Sequence, residues 1–367
     1  MRPRAFNMKA LNDFMTLEMP ADKVQVTYVY LGAARNTTHM KCQTLDFEPK
    51  SVADVPDWGN GYRLPEGGGG RFWAETILRP VSMYRDPFRR GANKIVLCEV
   101  LDMDRTPMHF NTRAPCAAIM DQVKEKHDPW FGIEQEYMLM ESTPRGAWPL
   151  GWPVDGFPEF GVWYYGHSVG ANVAYGRDIV EAHYRACLYA GIPIGGVNSE
   201  TTPAQWEFQV GPTAGVALAD HLWMARHILQ RVAEYFGVTV SFDPLPVPRW
   251  TGSGAHTNYS TKQTRDLATG MASIEQLVKK LEASHEEHKL VYDLNQGKDN
   301  IRRLTDGFAN VCKLDPFTSG VGKKNVSVRI PGEVARNGCG YIEDRRPASN
   351  ADPYAVLAAI VKSTLLS

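Results

Sequence analysis

Ile133-Glu134-Gln135-Glu136-Tyr137 carries two carboxylates two positions apart, and the two-residue period of a β-strand turns both to one face. The same period in Gln205-Trp206-Glu207-Phe208-Gln209 gathers Gln205, Glu207 and Gln209 on one face and Trp206 and Phe208 on the other. The aromatic face packs and the polar face opens inward. Two more acids, Glu200 just upstream and Glu343 in YIEDRRP, sit in segments rich in Gly, Pro and Arg. Like charges crowded on one face repel, and divalent cations make them tolerable. Hard oxygen ligands with one imidazole suit Mg²⁺ or Mn²⁺ rather than zinc, and His256 in GSGAHTN can supply the imidazole. Any one of these glutamates alone reads equally well as a solvated strand edge; the apolar neighbours of the whole set argue for a site.

Outward from these strands, short alternating runs recur in GIEQEYMLM, AQWEFQVGP, VTVSFDP, HTNYS and KNVSVRIP, which predict one antiparallel sheet assembled from distant segments. Amphipathic helices are expected at 113–127, 178–190, 218–236 and 271–290, and a C-terminal helix at about 352–366 opens with Pro353 in its first turn. Before residue 108 the character is different. KVQVTYVYL (23–31) reads as a strand, with others near 40–47 and 94–99, and between them DWGNGYRLPEGGGGRF reads as a loop because Gly67 to Gly70 hold no regular element. The expected architecture is α+β, with a small N-terminal β domain over 1–108 and a larger domain over 109–367.

The chain has 367 residues, enough for two domains, and its 40 basic residues nearly cancel 41 acidic ones. No basic block marks a nucleic-acid or membrane-surface partner, and no apolar run approaches the roughly 18 residues of a membrane span. Six cysteines without a closely spaced pair suggest neither a zinc knuckle nor a disulfide framework, so a cytoplasmic protein with reduced thiols is expected.

Arg302, Arg303, Arg329, Arg345 and Arg346 lie in otherwise weakly charged segments, and guanidinium forks match carboxylate and phosphate oxygens. Metals together with arginines point to phosphoryl transfer. One arginine of each adjacent pair is expected to serve function and the other structure.

WFGIEQEY (130–137), YGRDIVEAHYRACLYAGI (175–192), PAQWEFQVGP (203–212), HTNYSTK (256–262), DNIRRLT (299–305) and GYIEDRRPASNADP (340–353) resemble glutamine synthetase of the eukaryotic type. The resemblance runs from about Tyr28 to the C-terminus. It implies an N-terminal β-grasp domain, a C-terminal catalytic domain whose sheet curls into a barrel flanked by helices, and a homo-oligomer, a decamer of two pentameric rings. It also implies ATP and Mg²⁺ or Mn²⁺, with Glu136, Glu200 and Glu207 holding one metal and Glu134, His256 and Glu343 the other. Arg303, with Gly252 and Thr251 nearby, would meet the amino-acid substrate. Arg329, Arg345 and Lys324 would stabilise the transferred phosphoryl group, and Trp130, Pro212, Asn258, Ser260 and Arg265 would surround the nucleotide.

The sequence departs from the family where ammonium binds. The family's Asp-Gly-Ser-Ser-Thr, due after Trp58, is replaced by GNGYRLPEGGGG, and a flap glutamate falls on or near Asn310. Asp57, Glu66 and Asp306 are the available replacement acids. Thr251 stands where the family has Asn, and Lys324 where it has Arg, which keeps the charge and loses the fork. A pocket stripped of carboxylates binds a small cation poorly. The leading expectation is therefore a ligase that activates glutamate, or a close analogue, as an acyl phosphate and passes it to an amine other than free ammonium. An authentic glutamine synthetase with displaced acids, and an inactive nucleotide- or glutamate-binding homologue, are the alternatives.

Overall fold

The computed structural model describes residues 8–33, 37–65, 71–143, 146–153, 156–158, 167–305 and 313–367. The chain divides into two compact units, one made of residues 7–115 with 189–192 and the other of the remainder.

In the first unit, β1 (Val24–Leu31), β2 (Thr38–Leu45), β3 (Trp58–Pro65), β4 (Arg71–Arg85) and β5 (Lys94–Leu101) form a mixed sheet in the order β2-β1-β5-β4-β3. β1 and β5 run parallel and the other neighbours antiparallel. β-Branched and aromatic residues suit this pleated surface, and Val26, Tyr28, Leu78, Val96 and Val100 bury its inner face. The segment expected to be a loop is mostly strand. Trp58 to Pro65 pairs residue for residue with Leu78 to Arg71. Gly59 and Gly61 are carried by the ladder because the opposite strand supplies the stiff residues, and residues 66–70 lie outside the described ones.

In the second unit, nine strands follow in sequence: β6 (Trp130–Thr143), β7 (Gly146–Pro149), β8 (Ile194–Ser199), β9 (Gln205–Ala214), β10 (Thr239–Ser241), β11 (Ala255–Ser260), β12 (Ser319–Val321), β13 (Val328–Ile330) and β14 (Ile342–Asp344). They build one sheet in the order β12-β13-β14-β11-β6-β9-β8, with β7 and β10 also pairing to β6. All pairs are antiparallel except β12 with β13. The helix Ala217–Tyr235 buries Leu218, Leu222, Trp223, Ile228 and Leu229. Its Arg226 donates through Nε to Gln135 Oε1 at 2.9 Å, which anchors the residue between Glu134 and Glu136 from the opposite face. The helix expected over 271–290 breaks at Ser284, whose φ of −98° and ψ of 15° leave the helical region, giving Gly270–Ala283 and His285–Lys289. The C-terminal helix Pro353–Val361 starts on an Asp352 cap and loosens into a π turn over Lys362–Leu366. The class is α+β, as the sequence pattern implies.

Candidate active site

Strand register brings the acids together. Glu136 sits opposite Glu207 and Glu134 opposite Gln209 across β6 and β9, and His256 of β11 faces Glu134 from the other side of β6. Glu200 follows β8 and is tied by its N–H to the Gln205 carbonyl at 2.9 Å. The result is two overlapping groups, Glu136 with Glu200 and Glu207, and Glu134 with Glu207 and His256, each with ligand atoms within 4.8 Å of one another. Glu207 belongs to both.

The second group differs from the set the resemblance implies, because Glu343 stands outside it. Its Oε2 accepts from Arg329 Nη1 at 2.8 Å, and Arg345 Nη1 bonds its Oε1. His256 Nδ1 stands 3.6 Å from both Glu343 Oε1 and Glu134 Oε2. Burial and two guanidiniums therefore hold Glu343, which the resemblance assigns to a metal together with Glu134 and His256. Charge neutralisation is the common logic: a carboxylate 1% exposed requires a cationic partner of some kind.

Burial sets the electrostatics of Glu136, Glu200 and Glu207. It pushes Glu136 up to about 8, with Glu200 adding repulsion, and raises Glu207 well above the usual carboxylate range, with Glu134, Glu136 and Glu200 reinforcing it. Glu200 is raised by burial against the pull of its own hydrogen bonds and of the charges on His167 and Lys324. Burial, then Arg345, drives His256 down, so its imidazole is neutral and keeps a lone pair for a metal. Buried carboxylates at odds with one another beside a neutral imidazole fit a pair of hard divalent cations.

Glu136 is further fixed by the Gly254 backbone. Gly254 N–H donates to Glu136 Oε2 at 2.6 Å, and Glu136 N–H donates to the Gly254 carbonyl at 3.0 Å. A Cβ on Gly254 would lie 2.5 Å from Arg303 Nη2, and one on Gly252 would lie 2.7 Å from Arg303 Cγ. Arg303 is thus packed directly behind these glycines. Its guanidinium is fixed by the carbonyls of Arg345, Arg346 and Pro347 and by Asn300. Thr251 is half-buried beside Gly252.

The two arginine pairs separate in space. Arg302 reaches Asp243 at 2.9 Å and Asp299 at 3.5 Å, away from the glutamates. Arg346 is buried on Asp344 at 2.7 Å, while Arg345 meets Glu343. Lys324 is exposed, yet its charge reaches Glu200. His167 acts on Glu200 in the same direction and was not singled out from the sequence; it lies in a Gly-rich stretch, at a φ of 62°, where no periodicity flags it.

Beside the glutamates opens a cavity of about 460 Å³. Trp130, Pro212, Asn258, Ser260 and Arg265, the residues expected around a nucleotide, all line it, together with Glu134. Arg265 stacks 4.6 Å over the Trp130 ring and donates to Ser260 Oγ at 2.9 Å, while Asn258 Nδ2 donates to Glu134 Oε1 at 2.9 Å. The cavity wall and the acidic cluster therefore meet at Glu134.

Of the acids weighed as replacements at the ammonium site, Asp57 is already engaged by Arg105 at 2.8 Å and Arg79 at 3.8 Å. Glu66, Asp306 and Asn310 lie outside the described residues.

Among the described residues no helix is long and apolar enough to cross a membrane. Residues 113–366 match a family model described as the catalytic domain of glutamine synthetase. The chain is 48% identical over 359 residues to the glutamine synthetase of Mus musculus, covering 96% of this chain and 93% of the mouse protein. Against the Gallus gallus glutamine synthetase the figures are the same, and against that of Homo sapiens they are 47% over 351 residues, 94% and 91%. With near-complete coverage at that identity, and with the acidic sheet and its cavity in place, the chain belongs to the glutamine synthetase family, whose members are ATP-dependent ligases.

Proposed function

We propose that this ligase joins glutamate and ammonium to make glutamine, with ATP in the cavity lined by Trp130, Pro212, Asn258, Ser260 and Arg265. Mg²⁺ or Mn²⁺ would be held by Glu136, Glu200 and Glu207 and by Glu134, Glu207 and His256, with Glu343 close by, and would supply charge neutralisation at the phosphates. The observation that carries this reading is the pair of buried and half-buried ligand sets that share Glu207 and reach the cavity through Glu134. Arg303 is suited to pair with the α-carboxylate of glutamate. A γ-carboxylate oxygen attacks the γ-phosphorus, the new O–P bond forms as the bond to ADP breaks, and Arg329, Arg345 and Lys324 offset the charge on the moving phosphoryl group. The amine nitrogen then attacks the acyl carbon, phosphate leaves and the nitrogen sheds a proton. The curated relatives are named for glutamine, which favours ammonium as the acceptor. We further assign 1–108 as a β-grasp domain and 109–367 as the catalytic domain, in a cytoplasmic ring-forming homo-oligomer.

A second reading, an acceptor amine larger than ammonium, is favoured by one specific observation: the acidic motif due after Trp58 is absent and the nearby Asp57 is spent on Arg105 and Arg79. Turnover with glutamate, ATP and Mg²⁺ against ammonium and a panel of primary amines separates the two. Ammonium as the best acceptor supports glutamine synthesis, and a larger amine exceeding it overturns that in favour of the second reading. Hydroxylamine in place of the amine traps the acyl phosphate as hydroxamate; no hydroxamate with any carboxylate would mean a binding protein without catalysis.

A further inference from the structure

Two neutral amides stand between the acids, and neither is accounted for by the roles assigned above. Asn198 on β8 faces Glu207 across the β8–β9 ladder, and Gly196 faces Gln209. Asn198 Nδ2 donates to Glu200 Oε1 at 3.2 Å, and Gln209 Nε2 donates to Glu207 Oε1 at 2.8 Å and to Asn198 Oδ1 at 3.4 Å. The chain Glu207, Gln209, Asn198, Glu200 is therefore continuous, with each amide nitrogen turned toward a carboxylate that, in the ionised form a cation requires, only accepts. Reversing either amide would set a carbonyl oxygen against a carboxylate oxygen, so the chemistry fixes both orientations.

Gly196 makes room for this arrangement. A Cβ there would stand 2.9 Å from Gln209 Oε1, and the backbone at 196 is not left-handed, so the missing side chain answers to the amide and not to the turn. Gln209 also lines the cavity beside the acids.

A cationic neighbour would neutralise these carboxylates and compete with a metal for them. An amide donates to one oxygen of each carboxylate and carries no charge, so it orients the group without neutralising it; Glu200 Oε2 accepts in addition from the Thr201 N–H at 3.2 Å. We propose that Asn198 and Gln209 are positioning residues that fix the rotation of Glu200 and Glu207 and so set the affinity for the divalent cation, with Gly196 conserving the space the Gln209 amide needs. This rests on the metal reading above.

The test uses the full chain without nucleotide or glutamate. Mn²⁺ is titrated into wild type, Gln209→Met, Asn198→Ser and Gly196→Ala, and free Mn²⁺ is read from its electron paramagnetic resonance signal. The expected result is a Kd raised about 10- to 100-fold in each variant, the range for partners that orient metal ligands, while the melting midpoint in EDTA stays within about 3 °C of wild type. Kd values within about two-fold of wild type in the folded variants would overturn the proposal. So would lowered EDTA midpoints with unchanged Kd, which a purely structural role gives. Should Gln209→Met fail to fold, Gly196→Ala displaces the same amide with the side chain retained. Wild type that takes up no Mn²⁺ overturns the metal reading itself, a different result from wild type and variants binding alike.

Discussion

Arg329 Nη1 lies 2.8 Å from Glu343 Oε2, and across β13 and β14 the two residues are register partners. The sheet itself therefore delivers a guanidinium to a carboxylate that is 1% exposed. The pair joins a residue suited to the phosphoryl group to one suited to a cation, so substitution of the arginine should be felt in the chemical step. Arg329→Gln is expected to lower kcat about 10²-fold, the loss typical of one donor aimed at developing charge, with the KM for ATP changing less. Steady-state kinetics check this; a raised KM at unchanged kcat would assign Arg329 to ground-state binding alone.

Gly254 exchanges two hydrogen bonds with Glu136, its N–H donating to the carboxylate and its carbonyl accepting from the Glu136 N–H, and backs onto Arg303 and His256. Gly254→Ala places a methyl 2.5 Å from Arg303 Nη2 and 2.9 Å from His256 Nε2. Overpacking of this kind costs about 1–3 kcal/mol of stability, and the displaced groups are those of the site. The expectation is a folded protein whose kcat/KM for glutamate falls about 100-fold or more, since small misplacements at a reacting centre reach that size. Calorimetry beside kinetics decides it, and a stability loss with intact kcat/KM would refute it.

Asp344 is buried with Arg346 at 2.7 Å and also accepts from Tyr292 Oη at 2.8 Å. Burial pulls this carboxyl upward, but Arg346, with His288 and Tyr292, holds the group below its usual value. Removing one partner strands the other. Asp344→Asn should cost about 3–5 kcal/mol in urea denaturation, and adding Arg346→Met should return part of that loss. A single-mutant loss under about 1 kcal/mol would show the pair to be dispensable.

His183 is fully enclosed, with Nε2 3.1 Å from the Ala225 carbonyl and 3.1 Å from Cys187 Sγ. Burial pushes it down from 6.5 to about 4. Above pH 6.5 both folded and unfolded chains keep it neutral, and it contributes no pH dependence. Below 6.5 the unfolded chain binds a proton that the folded chain refuses, so stability falls until about pH 4. The loss from this one group approaches roughly 3 kcal/mol. Denaturation measured from pH 7 to 4 should show a shallower slope in His183→Gln; identical slopes would rule out the neutral buried imidazole.

The acidic sheet was legible because period two is rigid: once Glu134 and Glu136 are on a strand, both must face one way, and Trp206 and Phe208 force Glu207 to the other side from the core. What sequence could not give was which strand lies beside which. The capture of Glu343 by Arg329 depends on the β13–β14 register, and neither short strand announces its partner. The β3–β4 hairpin was hidden for a related reason. Gly59 and Gly61 argue against a strand locally, and only the facing run of β4 supports it. Likewise Ser284 breaks a helix whose apolar spacing runs on unchanged, since one residue's backbone angles leave no mark on periodicity.

The pairing of β6 with four other strands has a consequence for how the protein is made. Residues 130–143 pair with strands that begin at 146, 205, 239 and 255, and the strand bearing Glu343 pairs to the last of these. On a ribosome Glu134 emerges about 120 residues before His256, so no fragment that ends before β11 can complete the second group. Assembly of the centre is a late event that waits for long-range strand pairing, a slow class of step. Until then the nascent chain carries mutually repelling acids that have no reason to come together. Premature termination before β11 should therefore yield a product deficient in cation binding, since His256 and the strand that holds Glu134 from that side are both missing.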